Sequence, residues 1–199
     1  MNKPEIVRKI LHIVFGILIL ALSLLFDRGV FIRVLFILLL LCILLTVLHL
    51  KYNIQPIAWI SKEEEKRFPL KGLLFFIAGA GLTVLIFDKN IALAAITILT
   101  FGDSICSLSN RFGAKYKVNP FKKVKSLFGT LCGVIAGFLF ALIFIDPLSA
   151  LVGSFFGMIT EAISIKLGES DADDNIILPL ASATAMFLLS RLPTLASII

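Results

Sequence analysis

The sequence predicts an all-α, polytopic membrane protein with about seven transmembrane helices and a cytoplasmic N-terminus. Three observations carry that prediction. The chain is 59% hydrophobic and only 16% charged, with a mean hydropathy of +1.03, whereas a water-soluble domain carries about 25% charged residues. Seven apolar stretches approach the roughly 20 residues that a helix needs to cross the hydrocarbon. With those stretches as spans, 15 of the 19 Lys and Arg fall on the N-terminal side and 4 on the other, the asymmetry expected when the first side is the cytoplasm.

The first stretch, Ile10–Phe26, follows Lys3, Arg8 and Lys9. Its small residues Ala21-Leu22-Ser23 do not end the apolar run and six further stretches follow, so it reads as a retained helix and not a cleaved leader. Val30–Leu50 comes next, after a tight turn at Asp27-Arg28-Gly29. The polar connection over residues 51–71 is too short to bury a core, which leaves residues 1–199 as a single membrane domain. Within it, Ser61-Lys62-Glu63-Glu64-Glu65-Lys66-Arg67 resembles a helix start capped by Ser61, of the kind that lies at the interface. Gly72–Phe87 and Ile91–Leu108 are joined by Asp88-Lys89-Asn90, and Leu127–Ile145 and Leu148–Ile165 by Asp146-Pro147; Ile176–Leu192 closes the set. The outer turns are too short to hold chemistry and the cytoplasmic connections are long and polar, so work on a polar molecule is expected at the cytoplasmic face. The +6 net charge is the inward bias plus one basic loop, and is not a sign of nucleic-acid binding. Cys42, Cys106 and Cys132 lie inside spans without close spacing, which points to neither a disulfide framework nor a zinc site.

Carboxylates inside spans cost at least about 2.5–3.5 kcal/mol each at the bilayer centre, so they are read first as functional. Asp103 in the fourth span and Glu161 in the sixth qualify, at similar depth on the cytoplasmic side. Glu161 continues the series Gly153, Gly157, which places it on a face suited to close helix approach; Gly129, Gly133 and Gly137 form a second such face. After Asp103 the segment RFGAKYKVNPFKKVKS carries Arg111, Lys115, Lys117, Lys122, Lys123 and Lys125 without an acid. Six cations so placed suit either anionic lipid headgroups or a polyphosphate held with a divalent metal, and the nearby Asp103 favours the second. The segment KLGESDADDNIILP brings Glu169, Asp171, Asp173 and Asp174 to the same side, with Asp174-Asn175 placed to cap the seventh span. Glu5, Arg8, Lys9 and His12 fall on one helical stripe.

These pieces resemble the CTP-dependent lipid-alcohol kinases: dolichol kinase, phytol kinase and yeast-type diacylglycerol kinase. The resemblance runs from Glu5 to about Pro179. It rests on E-x-x-R-K-x-x-H-x-x-x-G (Glu5, Arg8, Lys9, His12, Gly16), GDSICSLSNRFGAKYK (Gly102, Asp103, Ser104, Arg111, Gly113, Lys115, Lys117), KSLFG (Lys125, Ser126, Gly129), EAIS (Glu161) and DNIILP (Asp174, Asn175, Pro179). Two departures stand out: Phe128 occupies the place of an acid before Gly129, and Ser109-Asn110 stand where a glycine is common. The resemblance implies transfer of the γ-phosphate of CTP to a lipid alcohol, an isoprenoid alcohol or diacylglycerol, with Mg²⁺ or another divalent cation as cofactor.

On that reading Asp103, Glu161 and Asp174 hold the metal. Arg8, Lys9, Ser104, Arg111, Lys115, Lys117, Lys122, Lys123, Lys125, Ser126 and Asn175 bind the nucleotide, while Asp103, His12 and Glu161 act in catalysis, with either Asp103 or His12 as the base. No G-x-x-x-x-G-K-[ST] loop or protein-kinase motif set occurs in the sequence. The Asp103 to Gly129 region is also similar to phosphatidate cytidylyltransferases, which transfer the cytidylyl group and release pyrophosphate. A small transporter is the third reading; transporters show internal repeats and midplane sites, whereas no clear repeat is visible here and the acids sit towards one end.

Overall fold

The computed structural model describes residues 3–55, 68–112, 126–163, 166–167, 170–171 and 173–196. The chain forms α1 (Lys3–Leu25), α2 (Arg28–Tyr52), α3 (Lys71–Ile86), α4 (Lys89–Thr97), a π-helical segment (Ile98–Asp103), α5 (Ser104–Phe112), α6 (Leu127–Ala141), α7 (Pro147–Ala162) and α8 (Asp174–Ala196). Before α8, β1 (Lys166–Leu167) and β2 (Ser170–Asp171) make a two-residue antiparallel pair. Because α4, the π segment and α5 run on without a break, the helices among the described residues form seven rods that correspond to the seven apolar stretches.

Four rods are long and apolar enough to cross a membrane: Val7–Leu25, Arg28–Tyr52, Lys89–Asn110 and Asp174–Leu192. The other three are shorter, at 16 residues for α3, 15 for α6 and 16 for α7, and α3 reaches only about 24 Å along its axis. The shortening has a local cause in α6. The predicted stretch continues to Ile145, but the chain leaves the helix at Ala141 and spends the remaining apolar residues on a turn, with Phe144 N–H donating to Ala141 O at 2.9 Å.

Outward rows of Ile10, Val14, Ile17 and Leu18 on α1, and of Phe36, Ile37, Leu40 and Leu44 on α2, are exposed. Such continuous apolar faces are stable only against lipid or another apolar partner. The fourth rod is the centre of the bundle: 78% of its apolar window is buried, against 17% for the first rod and 28% for the last. It is packed on by α1, α6, α7 and α8, while α8 also lies on α7 and α3, and α2 lies on α3.

Small residues set the closest approaches. A Cβ on Gly133 of α6 would lie 2.9 Å from Gly102 O and 2.9 Å from Cys106 Cβ, so the Gly129, Gly133, Gly137 series faces the fourth rod. The Gly153, Gly157 series of α7 instead meets Met186 and Ser182 of α8.

Contacts between distant residues sort the two ends of the bundle. Lys9 with Asp103, Thr46 with Pro69, Asn110 with Ser126 and Asn175 with Gly72 gather at one end, whereas Arg28 Nη2 donates to Val84 O at the other. At that second end, Asp27, Asp88 and Asp146 each stand at the N-cap of the next helix.

Only Asp146 makes a side-chain cap bond among those three, accepting from Ser149 N–H at 3.0 Å, and Pro147 follows it in the first turn, where its fixed φ suits a helix start. The bonds from Ser149 hold the Asp146 carboxyl below its ordinary range. A lowered carboxylate pKa gives stability that is present above the unfolded value and lost as pH falls through the folded one. Asp146→Ala is therefore expected to cost about 1 kcal/mol, read as a lower unfolding temperature at neutral pH and a smaller difference from wild type in strong acid.

Candidate active site

The π segment positions the first acid. A π turn carries one more residue than an α turn and is common at functional sites. Hydroxyls along the same rod bond back to carbonyls four residues earlier: Thr97 to Leu93 O at 2.7 Å, Thr100 to Ile96 O at 2.8 Å and Ser104 to Thr100 O at 2.6 Å. Asp103 is the last residue of this segment and is 7% exposed.

On α1, Lys9 and His12 stand three residues apart on one face. Lys9 Nζ donates to Asp103 Oδ2 at 2.6 Å. His12 Nε2 lies 3.8 Å from the same oxygen and 3.4 Å from Leu99 O, with the Phe76 ring of α3 set edge-on at 4.6 Å. A carboxylate, an ammonium and an imidazole thus meet where α1, α3 and the fourth rod converge. Gly16, one turn beyond His12 on α1, lets the helices meet, since a Cβ there would overlap the Thr100 side chain.

One turn further along the fourth rod, the Cys106 thiol donates to Glu161 Oε2 at 3.4 Å, and Glu161 is fully buried. Asn110 Nδ2 reaches Cys106 Sγ at 3.7 Å. Asn110 Oδ1 accepts from Ser126 N–H at 2.8 Å and from Ser126 Oγ at 2.7 Å; Ser126 Oγ in turn accepts from Gly129 N–H at 3.0 Å and caps α6.

Asp174 and Asn175 open α8. Asn175 Nδ2 donates to Gly72 O at 3.3 Å and to Asp173 Oδ1 at 2.9 Å, and Lys71 Nζ stands 3.9 Å from Asp173 Oδ2. Burial raises the Asp173 carboxyl above its ordinary range, opposed by the bonds from Asn175 and the Lys71 charge. The contacts of Asn175 tie the start of α8 to the start of α3.

Of the residues expected from sequence, the structure therefore brings together Lys9, His12 and Asp103, and joins Glu161 to the same rod through Cys106. Ser104 is buried with its hydroxyl on Thr100 O. Arg8 lies half-buried on α1. The side chain of Arg111, all of Lys115, Lys117, Lys122, Lys123 and Lys125, the Ser61–Arg67 run and Glu169 lie outside the described residues. Among the described residues no three His, Cys, Asp or Glu side chains cluster to hold a metal ion, so Asp103, Glu161 and Asp174 do not form a ready three-residue cage. Mg²⁺ needs no such cage, being held by one or two carboxylates together with substrate phosphates and water.

Sequence reasoning missed four parts of this region: the π segment, the thiol link from Cys106 to Glu161, the bonds of Asn110, and Lys71. The spacing of Asp103, Cys106 and Asn110 at i, i+3 and i+7 was the available signal for the second and third, because it puts all three on one helix face.

Two curated proteins of named activity are similar to this chain. A CTP-dependent diacylglycerol kinase of Schizosaccharomyces pombe is 28% identical over 155 residues, covering 69% of this chain and 68% of its own length. The chloroplastic farnesol kinase of Arabidopsis thaliana is 27% identical over 203 residues, covering 93% of this chain and 66% of its own length. Homology to these kinases supports membership of the CTP-dependent lipid kinase family. The chain spans about two thirds of the length of both family members. An uncharacterized protein of Methanocaldococcus jannaschii is 28% identical over 180 residues, with 88% of each chain covered. No family model and no solved structure matches the chain.

Proposed function

We propose that this protein is a multi-pass membrane lipid-alcohol kinase that transfers the γ-phosphate of CTP to an isoprenoid alcohol, of the polyprenol, dolichol or phytol type, or to diacylglycerol. In this reading all seven rods lie in the membrane with the N-terminus in the cytoplasm, and the end that carries Asp103 faces the cytoplasmic nucleotide pool. The observation that carries it is the Asp103 carboxylate, held at 2.6 Å by Lys9 beside His12 at the bundle end from which the six-cation loop departs, in a chain homologous to named lipid kinases.

Phosphoryl transfer asks a protein to position the reactants and to stabilise charge on the transferred group. Asp103, with Glu161 or with Asp174 at the start of α8, would hold Mg²⁺ against the triphosphate. That ion, when bound, neutralises charge on the phosphate oxygens. Arg8, Lys9, Arg111, Lys115, Lys117, Lys122, Lys123 and Lys125 supply the cations that meet the remaining phosphate charge, with Ser104, Ser126 and Asn175 as polar contacts.

The alcohol chain stays in the bilayer and its hydroxyl comes to the interface at the level of Asp103. Either His12 or Asp103 takes the hydroxyl proton as the new O–P bond forms and CDP leaves. Lys9 Nζ donates to the Asp103 carboxylate at 2.6 Å, and its ammonium would be free to meet a phosphate oxygen if a divalent ion took that carboxylate in its place.

A donor and acceptor panel tests this directly. Purified protein with Mg²⁺ is expected to phosphorylate farnesol, phytol, a polyprenol or diacylglycerol with kcat/KM for CTP at least about tenfold above that for ATP, a preference of about 1.4 kcal/mol. Absence of any phosphorylated lipid with either nucleotide would contradict the kinase reading.

A further inference from the structure

Cys106 stands three residues after Asp103 on the fourth rod, about 4.5 Å further along the axis and on the same helix face. Its thiol donates to Glu161 Oε2 of α7 at 3.4 Å, and both residues are fully buried. Asn110 Nδ2 donates to the sulfur at 3.7 Å, which uses the sulfur as an acceptor and leaves its proton for the carboxylate. Gly133 of α6 admits the cysteine, because a Cβ on it would lie 2.9 Å from Cys106 Cβ. The thiol is thus enclosed where the fourth rod, α6 and α7 meet.

A carboxylate taken into an apolar bundle needs donors to offset the water it has lost. Cys106 brings one from the helix that carries Asp103, so the bond ties one acid to the rod of the other. A thiol is a weak donor, and what it adds here is direction: Glu161 cannot change rotamer without breaking the bond. Groups that orient a metal ligand in this way change metal affinity about 10- to 100-fold when removed.

We propose that Cys106 is a positioning residue whose thiol holds the Glu161 carboxylate within about one helical turn of Asp103, oriented for a divalent cation. The proposal rests on the kinase reading for the cation. Cys106 acts through Glu161.

The first readout needs no turnover and uses the infrared S–H stretch of full-length protein in detergent. Cys42, Cys106 and Cys132 are all free thiols, and the difference between wild type and Cys106→Ser isolates the Cys106 band. Glu161→Gln replaces a charged acceptor with a weaker neutral one, so that band is expected to shift to higher frequency. Adding Mg²⁺ with CTP and no lipid acceptor is expected to shift it the same way, because a cation on Glu161 draws charge from the oxygen that accepts the thiol. CTP alone is expected to leave it in place.

The second readout is kinetic, with CTP and farnesol or diacylglycerol. Cys106→Ala is expected to raise KM for Mg²⁺ about tenfold, while kcat stays within about threefold and KM for the alcohol does not change. Cys106→Ser keeps a donor and is expected to bring KM for Mg²⁺ back to within about threefold of wild type. Should Cys106→Ala fail to accumulate, the infrared arms, which do not need it, decide.

A Cys106 band unmoved by Glu161→Gln overturns the bond and the proposal with it. A band unmoved by Mg²⁺ with CTP, or an unchanged KM for Mg²⁺ in Cys106→Ala, overturns the metal consequence. If wild type phosphorylates no acceptor, the kinase reading fails on its own and the infrared shifts decide the positioning role: both shifts support it, and the absence of either overturns it.

Discussion

Asp103→Asn is expected to lower kcat about 100- to 1000-fold, a loss of the size seen when one preorganised electrostatic group is removed from a transfer site. The substitution is close to isosteric and keeps an oxygen for Lys9 Nζ, so the loss should be one of charge. Breaking a fully buried ion pair costs about 3–5 kcal/mol. Lys9 retains 18% side-chain exposure and the amide oxygen remains, so the folding cost is expected below that range. The protein should therefore accumulate and elute as wild type while turning over almost no CTP. A variant with full activity would remove Asp103 from the site.

Gly133→Leu is expected to have the largest effect on folding. At this position the neighbours include a backbone carbonyl, Gly102 O, and Cys106 Cβ, both 2.9 Å from where a Cβ would stand. A carbonyl fixed in a helix cannot swing away as a side chain can, so the two rods would have to separate and Cys106 would move off Glu161. Overpacking costs about 1–3 kcal/mol or more, and in a chain of this size that lowers the unfolding temperature by about 10 °C or more at the upper end. Gly81→Ala is the control, because nothing lies within 4 Å of a Cβ there and alanine favours helix; it should unfold at or slightly above the wild-type temperature. Equal unfolding temperatures for Gly133→Leu and wild type would contradict the close approach of α6 to the fourth rod.

Much of this arrangement could be read from residue type alone. Glu161 in an apolar stretch, four residues after Gly157 and eight after Gly153, had to face protein, and it is fully buried. Asp103 was visible for the same reason, as was the end of the bundle that carries the polar residues.

What hydropathy could not give was rod length. The apolar run to Ile145 looks like one span, but an apolar turn and an apolar helix have the same composition, and only the backbone bonding separates them at Ala141. Partner choice was equally hidden. The glycine series of α6 and α7 announce close contacts without saying with whom, and one faces the fourth rod while the other faces α8.

Lys9 was legible as a neighbour of His12 on one helical stripe but not as the partner of Asp103, because the sequence cannot show that α1 crosses the fourth rod where Asp103 lies. Cys106 and Asn110 were legible only as neighbours of Asp103 on one helical face; their roles depend on Glu161 and Ser126, which come from other helices.

The most direct test of the central claim follows the phosphorus. Purified protein with Mg²⁺ and a lipid alcohol is given CTP labelled at the γ-phosphate in one reaction and at the α-phosphate in another, with phosphatidate as a second acceptor. Label from the γ position appearing in the lipid alcohol, and none from the α position, is the predicted result. Label from the α position in lipid, accompanied by released pyrophosphate, would contradict it and mark the protein as a cytidylyltransferase.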